Sequence, residues 1–391
     1  TAIGYRALNA NTSGVRNTAL GYSSLSAIKT TNDSTAVGYN ALLLDTGGSN
    51  TALGSYAGDA ITAGTGNIAI GLNALGLVST GYSNIGIGNG AGDAITTTGD
   101  GNVFIGDAAG GALISTDYST AVGHSALLSN TAAQITAVGA YSLDANISGV
   151  RNTALGYQSL SAIVTANDST AVGYNALALG TGGCNTAVGT YAGDELTSST
   201  DNTAVGFAAL SAASGSYNVA VWRVALFSNT ASSNTAVGYA ALYTNSSGVR
   251  STAVGYNALN AIVTTNDSTA VGYNALALDT GGSNTAIGSG ALDANTTGTG
   301  NVALGLDALG GNTLGAWKTA LGTYALDAMT TGSSTVAIGY NALGSNTTGA
   351  SSTAIGYQAL FSNTTASNNT AVGAGALFAN TTGTRNTALG L

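Results

Sequence analysis

Apolar and polar positions alternate over short runs along this chain, give way to a polar stretch, and then begin again, with a period of 16 to 18 residues. Twenty-four variants of Asn-Thr-Ala-Val-Gly-Tyr-Asn-Ala-Leu fill the 391 residues. A repeat this short and steady predicts a solenoid in which each repeat is one rung of a stack. No stretch keeps a 3.6-residue period, so helices are not expected.

The columns are read from the central glycine of each rung: Gly4, Gly21, Gly38, Gly54 and so on to Gly390. Trp222 takes this slot in one rung. The residue before it is always Ile, Val or Leu, as in Ile3, Leu20 and Val37. Before that stands Ala, with Gly86 and Phe104 as exceptions, and earlier still Thr. Ile68, Ile85, Val103, Val219, Val302 and Val336 replace the Thr. A position that takes Thr, Ile and Val alike reads as a strand position at least half buried.

Three places after the glycine stands Ala or Ser, and four places after it Leu, with Gly58, Gly92, Gly110 and Gly193 in place of that Leu. The rest of the rung is polar and turn-like and carries the variation in length, which suits an outer loop. The columns thus predict two short strands per rung, joined at the glycine and closed by the loop. Glycine at the bend is explained by a backbone conformation or close approach that a Cβ would hinder. The expected fold is an all-β parallel β-solenoid, one repetitive domain over residues 1–391. At about 4.8 Å between stacked strands its 24 rungs would make a rod roughly 110 Å long.

Strand alternation puts the Thr and Ile/Val/Leu columns on one face and Ala on the other, and likewise separates the Ala and Leu after the glycine. The exchange of Thr for Ile and Val places the Thr column inward and leaves an Ala face uncovered. Apolar columns on both sides exceed what one coil encloses, so a sister chain is expected to cover the surplus face.

Composition adds bounds. Charged residues are 6 % of the chain and the net charge is −9, with eight scattered basic residues, which excludes a nucleic-acid-binding reading. Hydrophobic content of 44 % at so low a charge fits a stack whose Ala, Gly, Thr and Asn satisfy one another as ladders. Proline is absent, as expected where every rung donates backbone N–H groups to its neighbours. No apolar run of about 18 residues is present to span a membrane within this segment. Cys184 is the one cysteine, so no disulfide framework exists. Neither end shows a capping unit, and the chain reads as a piece of a longer fibre protein.

A longer duplication overlies the rungs. Residues 12–58, 147–193 and 246–292 share Ser-Gly-Val-Arg, then Asn-Asp-Ser-Thr-Ala-Val-Gly-Tyr-Asn-Ala-Leu, then Thr-Gly-Gly. Their offsets of 135 and 99 residues are whole numbers of rungs, so the rung is the structural unit.

The rung resembles the head repeats of trimeric autotransporter adhesins of the YadA type, with the motif Asn-Ser-Val-Ala-Ile-Gly-x-x-Ser. The nearest strings are Asn67-Ile68-Ala69-Ile70-Gly71 and Thr335-Val336-Ala337-Ile338-Gly339. It is also similar to repetitive phage tail-fibre shafts, in which strings such as Asn234-Thr235-Ala236-Val237-Gly238-Tyr239 occur in tandem. The resemblance covers essentially the whole chain. It implies a left-handed β-roll, three chains about one axis, displayed outside a cell or virion. The longer period and the regular Leu after the glycine depart from the adhesin heads.

Candidate chemistry is sparse. His124 has no second His or Cys to form a metal site, and a Ser-His-Asp triad has no support. Asp59, Asp93 and Asp194 follow Ala-Gly and read as turn formers. No catalytic residue, metal or cofactor is expected. The best candidate surface is the Tyr column, including Tyr22, Tyr39, Tyr157, Tyr174, Tyr239, Tyr256 and Tyr273. Its rings either bind sugars or cover the glycine bend and pack on the next rung. Trp222 and Trp317 break the pattern and mark either binding spots or bulges. The leading function is a structural extracellular fibre or adhesin shaft, a spacer and attachment surface without catalysis. Its partners are other copies of itself and a host-surface glycan or protein. The alternative is a solenoid that binds glycan, ice or a crystal face, with ice disfavoured because the Thr column points inward.

Overall fold

The computed structural model describes residues 1–94, 99–111, 117–212 and 214–390, and among them there is no helix. The chain forms two compact units, Thr1–Thr200 and Asp201–Leu391. Each is a parallel β-solenoid. Strands of two or three residues follow one another from Ala2–Ile3 to Thr186–Val188 in the first unit, and from Thr203–Val205 to Thr387–Leu389 in the second. Equivalent residues align between rungs: Thr153 with Thr170, Ala154 with Ala171, Leu155 with Val172. The register survives irregular rungs, where Ile85, Gly86 and Ile87 face Val103, Phe104 and Ile105.

The glycine column is explained by close approach as well as by conformation. Gly123 has a φ of 134°, and a Cβ on it would stand 2.6 Å from the carbonyl carbon of Gly139 in the next rung. No side chain fits there without moving backbone.

Among the described residues the expected second strand does not form. Beyond the glycine the backbone runs through turns, and the residues two and four places on take positive φ, as at Asn40 (55°) and Leu42 (50°). Gly58, Gly92, Gly110 and Gly193 share this left-handed geometry in the Leu column, with φ of 57–65°. In such a run neighbouring side chains need not alternate between faces. Ala41 and Leu42 are therefore both fully buried, as are Ala258 and Leu259.

Burial also reverses the expected facing of the strand that does form. The Ala column lines the interior, and Ala36, Ala171 and Ala253 have no exposed surface. The flanking Thr and aliphatic residues look outward, and Leu20, Leu53 and Leu155 remain 44–49 % exposed. The coil is too narrow at the strand for more than a methyl group, because the Leu side chains of the turn run already fill it. Phe104, the large exception, is fully buried where a Cβ on Gly92 would come within 2.6 Å of its ring.

The polar stretch is not wholly outside either. The residue before each strand, mostly Asn or Ser, is buried and forms a ladder along the stack. The backbone N–H of Asn84 donates to Asn67 Oδ1 at 2.9 Å, that of Asn102 to Asn84 Oδ1 at 3.0 Å, and that of Ser119 to Asn102 Oδ1 at 2.8 Å. Each amide also reaches forward, Asn67 Nδ2 donating to Gly81 O at 2.8 Å and Asn234 Nδ2 to Gly248 O at 2.8 Å. A buried backbone group must be paired, and this column does the pairing where the loop turns inward.

Candidate attachment surface

The Tyr column lies on the turn run, one residue past the glycine, and the rung spacing sets its rings on one another. Tyr5, Tyr22 and Tyr39 stack with centroids 5.1 Å apart, and Tyr157 stacks on Tyr174 at 5.4 Å. Tyr239, Tyr256 and Tyr273 form a third ladder at 5.1 and 5.4 Å. The structure thus gathers the seven Tyr candidates into three groups. Stacking uses up ring faces, so an interior ring offers only its edge and hydroxyl to a ligand. The packing reading accounts for most of the column, and free faces remain only at ladder ends.

Trp222 and Trp317 are not part of these ladders. Trp317 is 70 % exposed and its ring lies over Gly300, where a Cβ would come within 2.9 Å of it. Trp222 holds the glycine slot at a φ of 105°, a strained conformation for a residue with a side chain. Arg223 follows it in the Tyr column, with its guanidinium 4.9 Å from the Phe207 ring centroid.

A second aromatic column, five places after the glycine slot, escaped the sequence reading. There Phe227 stacks on Tyr243 at 5.3 Å and Phe361 on Phe378 at 5.4 Å. Aromatic residues recurring at equal offset in adjacent rungs were the available signal. In the second unit this column and the Tyr ladder border a shallow groove of about 420 Å³, lined by Arg223, Tyr239, Ala240, Tyr243, Tyr256 and Asn260 among others. A smaller groove of about 240 Å³ in the first unit has Asp59, Asn73, Leu77 and Asp93 on its walls. Burial pushes the Asp59 and Asp93 carboxyls above the usual carboxylate range, against backbone hydrogen bonds that hold them down.

Charges pair along the stack. Arg16 meets Asp33 through two hydrogen bonds of 2.5 and 2.7 Å, and Arg151–Asp168 and Arg250–Asp267 repeat the arrangement in the other copies of the duplicated block. Those hydrogen bonds lower the pKa of each Asp. All three pairs are exposed. His124 Nδ1 lies 3.2 Å from Asp107, and its ring meets Tyr141 edge-on. Among the described residues no three His, Cys, Asp or Glu side chains are grouped to hold a metal ion. Among the described residues no helix is long and apolar enough to cross a membrane. The lone Cys184 is exposed.

Neither the known protein-family models nor the curated proteins include a match to this chain.

Proposed function

We propose that the chain is a structural segment of an extracellular fibre, of a phage tail or a bacterial surface, that spaces and presents an attachment surface and performs no catalysis. The observation that carries this reading is the outer face of the strands. In each unit, rung after rung presents half-exposed Leu, Ile or Val beside Thr or Val, including Leu20, Leu53, Leu155 and Val188 in the first and Ile287, Leu304, Ile338 and Ile355 in the second. An extended apolar array of this kind is covered most simply by the same array on another copy. Three chains are the number the resemblance implies. Sedimentation velocity at micromolar concentration tests this: a stable multimer is expected, and a lone 37.7-kDa species would overturn association through this face.

The outward Thr column also supports a second reading, in which the flat Thr and aliphatic array meets an ordered solid such as ice. The facing that spoke against ice is the opposite of the one observed, since Thr51, Thr136, Thr153 and Thr186 are exposed. Both readings use the same face, so they exclude each other in one sample. A freezing-point gap measured on non-associating chain would favour the solid, and no gap together with multimers would favour the fibre. Incubation with polysaccharide is expected to release no oligosaccharide.

A further inference from the structure

The groove beside Arg223 lies at a variable place in the repeat. Two residues past the glycine slot, six rungs carry Asn, namely Asn40, Asn73, Asn175, Asn257, Asn274 and Asn341. Ala240 stands there instead, in the same left-handed geometry (φ 53°, against 53° at Asn257). Its short side chain, only 6 % exposed, floors a notch between the two aromatic columns. Tyr239 and Tyr256 bound the notch on the Tyr-ladder side and Tyr243 on the other. The Asn260 amide turns into the same place, Nδ2 donating to Ala240 O at 3.0 Å across twenty residues of chain.

Arg223 stands at the head of the groove. It replaces the Tyr that would otherwise continue the ladder above Tyr239, and it forms no ion pair among the described residues. Three other arginines of this acidic chain are paired with Asp. The strained Trp222 stands immediately before it, and the guanidinium rests 4.9 Å from the Phe207 ring centroid. A strained residue is kept where the surroundings hold it, commonly at a functional site.

We propose that this groove binds a carboxylate-bearing sugar of an acidic polysaccharide, with the Arg223 guanidinium on the carboxylate and the sugar ring against Tyr243 and the Tyr239–Tyr256 wall. The volume falls in the range of small-ligand sites, and aromatic walls with a few polar groups are what such sites use. The guanidinium fork matches a carboxylate in two parallel hydrogen bonds, which a neutral sugar lacks. The proposal rests on the attachment-surface reading and deepens it at one place.

The test uses the full chain and calorimetric titration with hexagalacturonate and with maltohexaose as the neutral control. The acidic oligosaccharide is expected to bind at least about tenfold more tightly than the neutral one. Ala240→Asn introduces the residue that the next two rungs carry as Asn257 and Asn274, fits the backbone and puts a larger side chain into the notch. It and Arg223→Ala should each weaken acidic binding by about tenfold or more, with thermal melting of Ala240→Asn unchanged. Acidic binding that survives Ala240→Asn would overturn the groove while leaving attachment elsewhere on the chain standing. Equal binding of both oligosaccharides would overturn the carboxylate assignment. If neither binds, the groove proposal fails, and retention of the chain on a panel of printed host glycans decides whether the attachment reading fails with it.

Discussion

At the scale of single residues, two substitutions in the repeat are out of character and both have measurable costs. Lys318 occupies the buried Asn column with almost no exposed surface, its Nζ donating to Asn312 Oδ1 where a ladder Asn would place its amide. Burial lowers the pKa of its amine from 10.5 to about 7. Between these two values the unfolded chain holds the proton and the folded chain does not, so stability rises with pH across that window. Lys318→Asn should therefore stabilise the second unit by a few kcal/mol near pH 7 and below, with the gain shrinking toward pH 10.5. Denaturant midpoints measured across the window check it, and a gain independent of pH would contradict it. Trp222 is the other case. Trp222→Gly removes the side chain from a glycine geometry and is expected to raise stability by about 1–3 kcal/mol, read as a higher melting temperature.

At the scale of the rung, the Asn ladder joins loop to strand. Asn67 accepts from the Asn84 backbone N–H and donates to Gly81 O, so Asn67→Ala leaves a buried donor and a buried acceptor unpaired. A loss of about 2–6 kcal/mol is expected, at roughly 1–3 for each orphaned group. Asn67→Ser should cost less. The ladder already accepts Ser34, whose hydroxyl lies 3.4 Å from the Asn50 N–H, and Ser352, whose hydroxyl lies 3.1 Å from the Asn369 N–H. Equal losses for the two variants would show that the ladder is not what holds this column.

The same rung shows how much of the fold could be read from sequence. Period, parallel register and the role of glycine all follow from columns such as Gly123 and Ala154. What failed was the inference of facing. Period-two reasoning requires pleated backbone, and only three residues per rung are pleated. Leu42 lies outside them, and the exchange of Leu for Gly58, Gly92, Gly110 and Gly193 in its column was the visible sign of left-handed backbone. Asn67 read as loop because its composition is that of loops, and nothing local distinguishes an amide facing a ladder from one facing water. In the candidate site the Tyr ladders were legible as a column, whereas the groove was not. It depends on what Ala240 lacks, in a place closed by Arg223, Tyr256 and Asn260, sixteen to twenty positions away.

At the scale of the molecule, the inverted facing changes which mutations disrupt which level of structure. Val254 sits half-buried on the outer face and Ala253 is wholly inside. Ala253→Asp should unfold its surroundings, since an unpaired buried carboxylate costs several kcal/mol. Val254→Asp should leave the single chain folded and weaken the association proposed above instead. Circular dichroism and sedimentation separate the two effects. Val254→Asp chains that still assemble as the parent does would place the contact elsewhere. Removing residues 255–271 joins Val254 to Gly272 and keeps every column in register, so the second unit should lose about one rung's share of stability and stay folded.

The uniform spacing of partners along the chain has a consequence for how the molecule forms. Each strand pairs with one only 16 to 18 residues away, as Thr170 does with Thr186 and Ile85 with Val103. The entropy of closing each loop is therefore nearly constant, however many rungs precede it. Most β-structure folds slowly because its contacts are distant in sequence, whereas here a completed rung is a template for the residues that follow immediately. A chain leaving the ribosome can add layers as it emerges, and a gene lengthened by copying whole blocks would encode a longer product without a slower folding step.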